Sequence, residues 1–146
     1  FNVYGQHQDN RMVIPRFFEQ AMAGQPLTVY GNGKQTRDFT YIDDTIASCV
    51  KLADEVGGCD IFNIGCEEET CIVDLAEAIL KVTGSSSEIK FIDAPKKRYD
   101  FEIERRRGNS QKLFDAIQFK PQVGLMDGLT TTFTDCYETK ARSVDA

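Results

Sequence analysis

The run Tyr30–Lys34, "YGNGK", has the Tyr-x-x-x-Lys spacing of the catalytic pair found in some oxidoreductases. In such a pair the lysine lowers the pKa of the tyrosine phenol, and the spacing works on an α-helix, where residues i and i+4 share a face. Here the intervening residues are Gly-Asn-Gly, which are poor helix formers and good turn formers. The sequence therefore predicts a surface turn with a solvated Lys34 rather than a catalytic pair.

Two side chains that flank this turn have the chemistry to hold a nucleotide. Tyr30 ends a predicted strand, Leu27–Tyr30, and its ring could stack on a flat ligand such as a base. Arg37 begins the next predicted strand, and its guanidinium matches the geometry of a phosphate. The alternative is a packed tyrosine and a salt-bridged arginine, and these two residues taken alone favour that alternative.

A second group of cations lies in the charged loop from Asp93 to Gly108, within a chain whose net charge is −6. Such a cluster is usually a solvated loop, but together with Arg37 it also has the charge that a doubly charged diphosphate requires. The run at its C-terminal end could instead fix the helix that follows. The cluster consists of Lys96, Lys97, Arg98, Arg105, Arg106 and Arg107.

Alternating helix and strand patterns predict an α/β or α+β fold. Apolar residues at helical spacing and capping residues predict the helices, and short β-branched or aromatic runs predict the strands. The predicted helices are Met12–Gly24, one capped by Asp43 or Asp44 with Ile46, Cys49, Val50 and Ala53 on one face, one capped by Thr70 and ending at Gly84, one opened by Asn109 or Ser110, and Leu125–Tyr137. The predicted strands are Leu27–Tyr30, Arg37–Ile42, Ile61–Gly65 (buried) and Glu88–Ile92.

Composition limits the class of protein and its partners. With 146 residues, 41% hydrophobic and 27% charged, the chain predicts one globular domain over residues 1–138 and a frayed tail over 139–146. The acidic balance argues against nucleic-acid and membrane partners, and no signal-peptide pattern opens the chain. Five cysteines without metal-ligand spacing predict reduced thiols in a cytoplasmic protein and no metal site.

Five motifs follow one another along the sequence: "FNVYG", "VIPRFFEQAMAGQPLTVYGNGKQTRDFTYIDDTIAS", "IFNIGCEEETCIVDLAEAILKVTG", "KKRYDFEIERRRGNSQKL" and "FKPQVGLMDGL". Together they resemble the NAD-dependent epimerase/dehydratase family, which comprises extended short-chain dehydrogenases that act on nucleotide sugars. The resemblance runs from Phe1 to about Tyr137 and implies a mixed α/β, C-terminal substrate-binding part whose few strands would complete a Rossmann-type sheet. Because the chain opens on a strand, we expect it to be cut from a longer protein, with a Gly-rich loop and the catalytic pair before Phe1.

The resemblance also implies substrate-binding roles for individual residues and no catalytic residue in this chain. Positions that match the family's binding motifs occur on five predicted segments, including the strand that opens the chain, and in the charged loop. They are Asn2 at the diphosphate, Val13 lining the nucleotide, Thr28, Val29 and Tyr30 at a uracil or thymine ring, Arg37 and Arg98 at the diphosphate, Asn63 in the same pocket, and Asp100 at the ribose or the sugar.

For the complete protein, the resemblance implies a UDP- or dTDP-sugar that is transiently oxidised at C4 by NAD. The NAD would be bound mainly by the N-terminal half, and the complete enzyme would be a cytoplasmic homodimer. Epimerisation, dehydration and decarboxylation all remain open. Two further interpretations are a non-catalytic nucleotide-sugar-binding module and a structural protein whose arginine cluster and acidic surface serve a protein partner.

Overall fold

The computed structural model describes residues 1–93 and 103–138 of the chain. Within them, helices and short strands alternate. The strands are β1 Asn2–Tyr4, β2 Leu27–Tyr30, β3 Thr36–Arg37, β4 Phe39–Tyr41, β5 Thr70–Cys71, β6 Ile89–Ile92 and β7 Arg105–Arg106. The helices are α1 Val13–Met22, α2 Ile42–Glu55, α3 Ile72–Thr83, α4 Gln111–Ile117 and α5 Leu125–Phe133, which continues as a π-helical turn, Thr134–Glu138.

The strands form three small sheets. Strand β1 pairs in parallel with β4, and β2 pairs in parallel with β6. In the third sheet β3 is central, antiparallel to β5 and parallel to β7. The prediction of a mixed α/β fold is confirmed. No helix in the described ranges is both long and apolar enough to cross a membrane.

Helix α1 buries one apolar face and presents its polar face toward β2. Ile14, Phe17, Phe18 and Ala21 are buried, as their helical spacing predicts. Pro15 lies in the first turn, where its missing N–H costs no helical hydrogen bond. The apolar face packs against α3, whose buried residues Ile72, Leu75, Ala76 and Ile79 belong to the same core.

An aromatic cluster joins the β1–β4 sheet to the core. Tyr4 meets Phe39 edge to face with ring centroids 6.4 Å apart, and it meets Tyr41 at 5.5 Å. The Tyr4 hydroxyl lies 3.4 Å from the Leu125 carbonyl oxygen at the start of α5. Edge-to-face contacts of this kind add to the stability that comes from burial alone.

The predicted strand Arg37–Ile42 is divided in two by Asp38. The Asp38 N–H donates to the Arg106 carbonyl in the β3–β7 sheet, whereas its carbonyl accepts from the Asn2 N–H in the β1–β4 sheet. The chain therefore changes sheets at this residue. Hydrophobic alternation does not report such a change, because both halves keep an extended backbone.

The predicted capping residues of α2 and α3 do not cap them. The helices begin after Tyr41 and Cys71, without a side-chain cap. Asp44 lies within the first turn of α2, where its carboxylate accepts the N–H groups of Gln122 and Val123 at 2.9 and 2.8 Å. Because the Asp44 carboxylate binds these two distant N–H groups, it does not cap the first turn of α2.

The segment Ile61–Gly65 is not the buried strand that its apolar pattern predicts. It has no strand assignment, and the Ile61 side chain is 83% exposed. Its contacts in the described structure are with a chain terminus and a helix start: the Phe1 amino group donates to the Ile64 carbonyl at 2.6 Å, and Ser110 bonds Gly65. Without a neighbouring strand, the segment cannot form a ladder.

The apolar face of α2 points to solvent in this structure. Ile46 and Val50 are 53% and 55% exposed, while the buried residues of the helix are Asp44 and Ser48. A hydrophobic face at helical spacing normally marks the side that packs on the core. None of the residues in the described ranges covers it.

Gly33 supports the β2–β3 turn, and we predict that Gly33→Ala destabilises the chain by about 2–4 kcal/mol. Its φ is +71°, and a Cβ there would meet Val29 Cγ1 at 2.9 Å and Val73 Cβ at 3.1 Å. Gly24 is the matched control, since its φ is +63° but nothing lies within 4 Å of its Cβ position. Urea unfolding should show a cost of only about 1 kcal/mol for Gly24→Ala. Equal costs would contradict the packing at Gly33.

Candidate functional site

A cleft of about 880 Å³ lies between α1, β2 and the β3–β7 pair. It is lined by both polar and apolar side chains, as ligand sites usually are. The structure brings five of the predicted site residues to this one cleft: Asn2, Val13, Thr28, Tyr30 and Arg37.

Strand β2 places alternate residues on opposite sides. Thr28 and Tyr30 line the cleft, whereas Leu27 and Val29 are fully buried in the core. The Val29 side chain therefore does not face the cleft, although it was predicted at the base together with its two neighbours. A strand of period two cannot present three consecutive side chains to one ligand.

Arg16 is a cleft residue that the sequence motifs do not single out. Its guanidinium donates to the Thr28 hydroxyl at 3.1 Å and lies 3.3 Å from the Tyr30 hydroxyl. It also lies over the Tyr30 ring, 5.6 Å from the centroid, a cation–π distance. It lies one turn before Gln20 on α1, and both residues contact Thr28 on β2, which becomes apparent only once α1 is packed on that strand.

Arg37 and Arg106 oppose each other across the β3–β7 pair, and both line the cleft. The Arg37 guanidinium donates to the carbonyls of Thr36 and Ile103 at 2.7 and 2.8 Å, which fixes its position. The Arg106 guanidinium has no hydrogen bond or ion pair with the residues that the structure describes. Two guanidinium groups in register on the same side of neighbouring strands can both donate to one bound anion.

The neighbours of Arg106 point away from the cleft and are neutralised by glutamates. Arg105 holds Glu69 with nitrogen–oxygen distances of 2.6–2.9 Å. Arg107 donates to the Glu67 carbonyl at 2.8 Å and lies 3.7 Å from its carboxylate. Of this arginine run, which the sequence offers as an alternative phosphate site, the cleft receives only the central residue. Because side chains alternate along a strand, Arg106 faces the cleft while Arg105 and Arg107 face the other side.

The pairing of Arg105 with Glu69 gives a prediction in acid. Hydrogen bonds from Arg105 and then Thr36 lower the pKa of Glu69 from 4.5 to about 2. A lowered folded-state pKa contributes stability above pH 4.5, and this contribution is lost as the pH falls toward 2. We expect carboxyl-carbon NMR to show the low pKa, and Arg105→Ala to raise it toward 4.5. A Glu69 pKa that does not respond to Arg105→Ala would contradict the pairing.

The described lining of the cleft is strongly cationic in an acidic protein. Arg11, Arg16, Lys34, Arg37 and Arg106 line it, against the carboxylate of Glu104. Arg11 is exposed and paired with Asp9 at 2.6 Å, so it contributes less than the others. The remaining cations give the cleft a positive potential, which attracts anionic ligands.

Asp38 is fully buried next to Arg37 in the chain. It binds the loop that precedes β5 and the loop that follows β7, the strand that carries Arg106. Its carboxylate accepts the backbone N–H groups of Cys66, Glu67 and Gly108, each at 3.1 Å. It also accepts the Thr40 hydroxyl at 3.3 Å. Because the Asp38 N–H bonds the Arg106 carbonyl, this one residue joins β3 to β7. Three backbone donors compensate the burial of the charge.

Cys66 is a structural thiol in this network. Its sulfur lies 3.0 Å from the Asp38 carboxylate and 3.2 Å from the Phe39 carbonyl. Burial first, and then the hydrogen bond to Asp38, raise the pKa of the Cys66 thiol to about 11. The thiol therefore stays protonated and donates to the carboxylate, which makes it a poor nucleophile.

The rim near β1 contains two amides. Asn2 donates its side-chain N–H to the Asp38 carbonyl at 3.0 Å, and the same side chain lines the cleft. Gln8, which the motifs do not indicate, donates to the Val3 carbonyl at 2.8 Å. Its side-chain oxygen is buried and has no hydrogen-bond partner in residues 1–93 and 103–138.

The remaining predicted site residues are not in the cleft that the structure describes. Asn63 is exposed and does not line it. Arg98 and Asp100 lie outside the described residues, as does the predicted tail, 139–146. Their roles stay predictions.

The Tyr30–Lys34 run is a turn and not a helical pair. Tyr30 ends β2, and Gly31 and Gly33 take positive φ angles of 63° and 71°. The Lys34 N–H donates to the Asn32 side-chain oxygen at 2.9 Å, an Asx turn. Tyr30 and Lys34 both line the cleft, but they do not share a face of a helix.

Known proteins match both the sequence and the fold. Residues 1–65 match the sequence model of the NAD dependent epimerase/dehydratase family. The UDP-N-acetyl-alpha-D-glucosaminuronate decarboxylase of Bacillus cytotoxicus is 39% identical over 137 residues, which are 90% of this chain and 43% of the relative.

Solved structures of the same family share the fold. The UDP-glucose 4-epimerase of Thermotoga maritima, crystallised with UDP-glucose, matches with a TM-score of 0.84 at 28% identity, over 97% of this chain and 44% of that one. The UDP-glucuronic acid 4-epimerase of Bacillus cereus, in complex with UDP-glucuronic acid and NAD, gives 0.83 at 32% identity, over 97% and 44%.

The chain spans less than half the length of these relatives. Within that span the sequence match to the decarboxylase covers 90% of the chain, and the mixed α/β fold agrees with the solved epimerases over 97% of it. The chain is therefore similar over nearly its whole length to nucleotide-sugar epimerases and decarboxylases, and its residues 1–65 match the NAD dependent epimerase/dehydratase family.

Proposed function

We propose that the cleft binds the nucleotide part of a UDP- or dTDP-sugar, with the diphosphate between Arg37 and Arg106. The observation that carries this proposal is the in-register pair of arginines, both on the cleft side of neighbouring strands. A guanidinium offers paired donors that suit phosphate oxygens, and two guanidinium groups in register can hold one diphosphate between them.

The base end of the ligand would lie on β2 and α1. Tyr30 supplies an aromatic ring, Thr28 a hydroxyl and Val13 an apolar contact on the same cleft. A planar base with polar edges fits such a combination. Asn2 would contact the diphosphate from the β1 side, as the resemblance to the family implies.

The contribution of this chain to a reaction would be orientation. Holding the diphosphate and base fixes where the sugar lies, and correct placement of reacting atoms accounts for several kcal/mol of many enzymatic barriers. In the complete protein NAD, when bound, would supply the hydride acceptor for the sugar C4. The solved relative from Bacillus cereus contains NAD.

The residues that the structure describes form no dinucleotide site of the family's kind. The sequence contains no Gly-x-x-Gly-x-x-Gly segment. The Gly31–Gly33 turn connects two strands, whereas a pyrophosphate loop leads from a strand into a helix. We therefore propose that NAD is held mainly by a part of the protein outside these 146 residues, which would also supply the catalytic Tyr-x-x-x-Lys, and that this chain alone is inactive.

Two reactions are candidates for the complete protein. Epimerisation is the first candidate, because the two solved relatives described above are epimerases. Decarboxylation of a UDP-uronic acid is the second, because the relative at 39% identity is a decarboxylase. A homodimeric, cytoplasmic complete enzyme stays part of the proposal.

Calorimetric titration of the chain with UDP, at low and at high salt, tests the proposed site. We expect one-to-one binding that weakens as salt rises, because the diphosphate contacts are charge interactions at a partly exposed cleft. Uridine, which lacks the diphosphate, serves as the control ligand and should bind much more weakly. Equal affinities for UDP and uridine, or no binding of UDP, would contradict the proposal.

A further inference from the structure

The Thr28 hydroxyl has an unusual set of hydrogen-bond partners. The Thr28 N–H donates to the Gln20 side-chain oxygen at 3.1 Å, and a backbone N–H can only donate. The other side-chain atom of Gln20 is therefore the NH₂ group. That group donates to Thr28 Oγ1 at 3.0 Å.

Arg16 occupies the second acceptor position of the same oxygen. Its Nη2 donates to Thr28 Oγ1 at 3.1 Å, and a guanidinium has no acceptor. A hydroxyl oxygen accepts two hydrogen bonds, so both positions are filled by obligate donors. The Thr28 hydroxyl can then only donate, and no acceptor among the described residues receives it.

We propose that Arg16 and Gln20 orient the Thr28 hydroxyl as a donor that reads the C4 carbonyl of a uracil or thymine base. Cytosine carries an amino group at C4, which would place donor against donor. The cleft would therefore select keto-pyrimidine nucleotides over cytidine nucleotides. This inference rests on the proposed function and identifies specificity-determining residues within its site.

The placement of the three residues supports this selection. Arg16 and Gln20 are one helical turn apart on α1 and face β2 together. Thr28 shares its side of β2 with Tyr30, whose ring lies in the same cleft as the proposed base. A carbonyl in the plane of a base held there would be within the reach of a neighbouring hydroxyl, and a buried site built to donate penalises a ligand that cannot accept.

The first test compares the affinities of UDP and CDP, which carry the same diphosphate. We expect UDP to bind about tenfold more tightly, consistent with one hydrogen bond gained and one donor conflict avoided. Thr28→Val, which removes the hydroxyl at nearly constant shape, should bring the ratio close to one. Thr28→Ser keeps the hydroxyl and should keep the preference, and thermal unfolding of both variants checks that the fold is retained.

A second variant keeps the Thr28 hydroxyl but turns its hydrogen away from the proposed base. Glutamate at position 20 would accept both the N–H and the O–H of Thr28, so Gln20→Glu should reduce the UDP/CDP ratio about as much as Thr28→Val. The added negative charge weakens the binding of UDP and CDP to the same extent. A change in the ratio of their affinities therefore reports the orientation of the Thr28 hydroxyl. Gln25→Glu, an exposed residue after α1 and outside the cleft, adds the same charge and should leave the ratio unchanged.

The outcomes separate this inference from the proposed function. If UDP binds but CDP binds equally well, or if Gln20→Glu leaves the ratio unchanged, the inference is wrong while the diphosphate site stands. If neither nucleotide binds the wild-type chain, the proposed function itself fails, and the inference fails with it.

Discussion

Arg106→Ala is expected to weaken the binding of UDP about 10-fold to 50-fold while slightly raising the stability of the ligand-free chain. The loss corresponds to one charge-assisted contact with the diphosphate at a partly exposed position. The gain, about 0.2–1 kcal/mol, follows because Arg37 would no longer face a like charge across the β3–β7 pair. Calorimetric titration gives the first quantity and urea unfolding the second.

Arg105→Ala is the matched control, because this neighbour lies on the same strand but points away from the cleft. Its guanidinium is engaged with Glu69, so its removal should leave UDP affinity within about twofold and should not raise stability. The opposite pattern, with Arg105→Ala abolishing binding and Arg106→Ala without effect, would place the ligand on the other side of the sheet and contradict the site.

Asp38→Ala is expected to reduce the free energy of unfolding by about 3–5 kcal/mol, the range for breaking a buried network and leaving its donors unsatisfied. Three backbone N–H groups, from Cys66, Glu67 and Gly108, would lose their acceptor. Because the site is fully buried, bulk water cannot replace the lost carboxylate as the acceptor of these N–H groups. Urea unfolding followed by circular dichroism measures the loss.

Asp43→Ala is the control for Asp38, since it removes an exposed carboxylate from the same "RDFTYIDD" motif. Asp43 lies in the first turn of α2, where a negative charge is worth about 0.3–1 kcal/mol through the helix dipole. The two variants should therefore differ several-fold in cost. Similar losses would show that the Asp38 network contributes little, and that the loop at Gly108 is held by other contacts.

Sequence patterns predicted the elements whose apolar periodicity matches their burial. Strand β2 has the predicted bounds, helix α1 lies within the predicted range Met12–Gly24, and both bury most of the expected apolar residues, because nearly all of their packing lies within the described chain. The predictions were wrong at Ile61–Gly65 and silent about the exposure of Ile46 and Val50. In both places apolar residues face no neighbour in the described structure, and a one-dimensional pattern reports only which residues prefer burial.

The sequence singles out cleft-lining residues where they lie on regular strands, and it misses them where their position depends on pairing between distant segments. Thr28, Tyr30 and Arg37 line the cleft because strand β2 and the following turn place them there. Arg106 could not be distinguished from its neighbours before its register opposite Arg37 was known. Arg16 was missed because its role comes from the packing of α1 on β2, and helical spacing alone does not indicate a ligand contact.

The most direct test of the central claim, that the cleft holds a nucleotide diphosphate between Arg37 and Arg106, is a crystal structure of the chain with UDP. We predict phosphate oxygens about 2.7–3.1 Å from both guanidinium groups, with the pyrimidine beside Thr28 and Tyr30. A diphosphate bound at Arg105 and Arg107 would contradict the account, as would one bound in a second cavity of about 230 Å³ that is lined by His7, Phe18 and Tyr137.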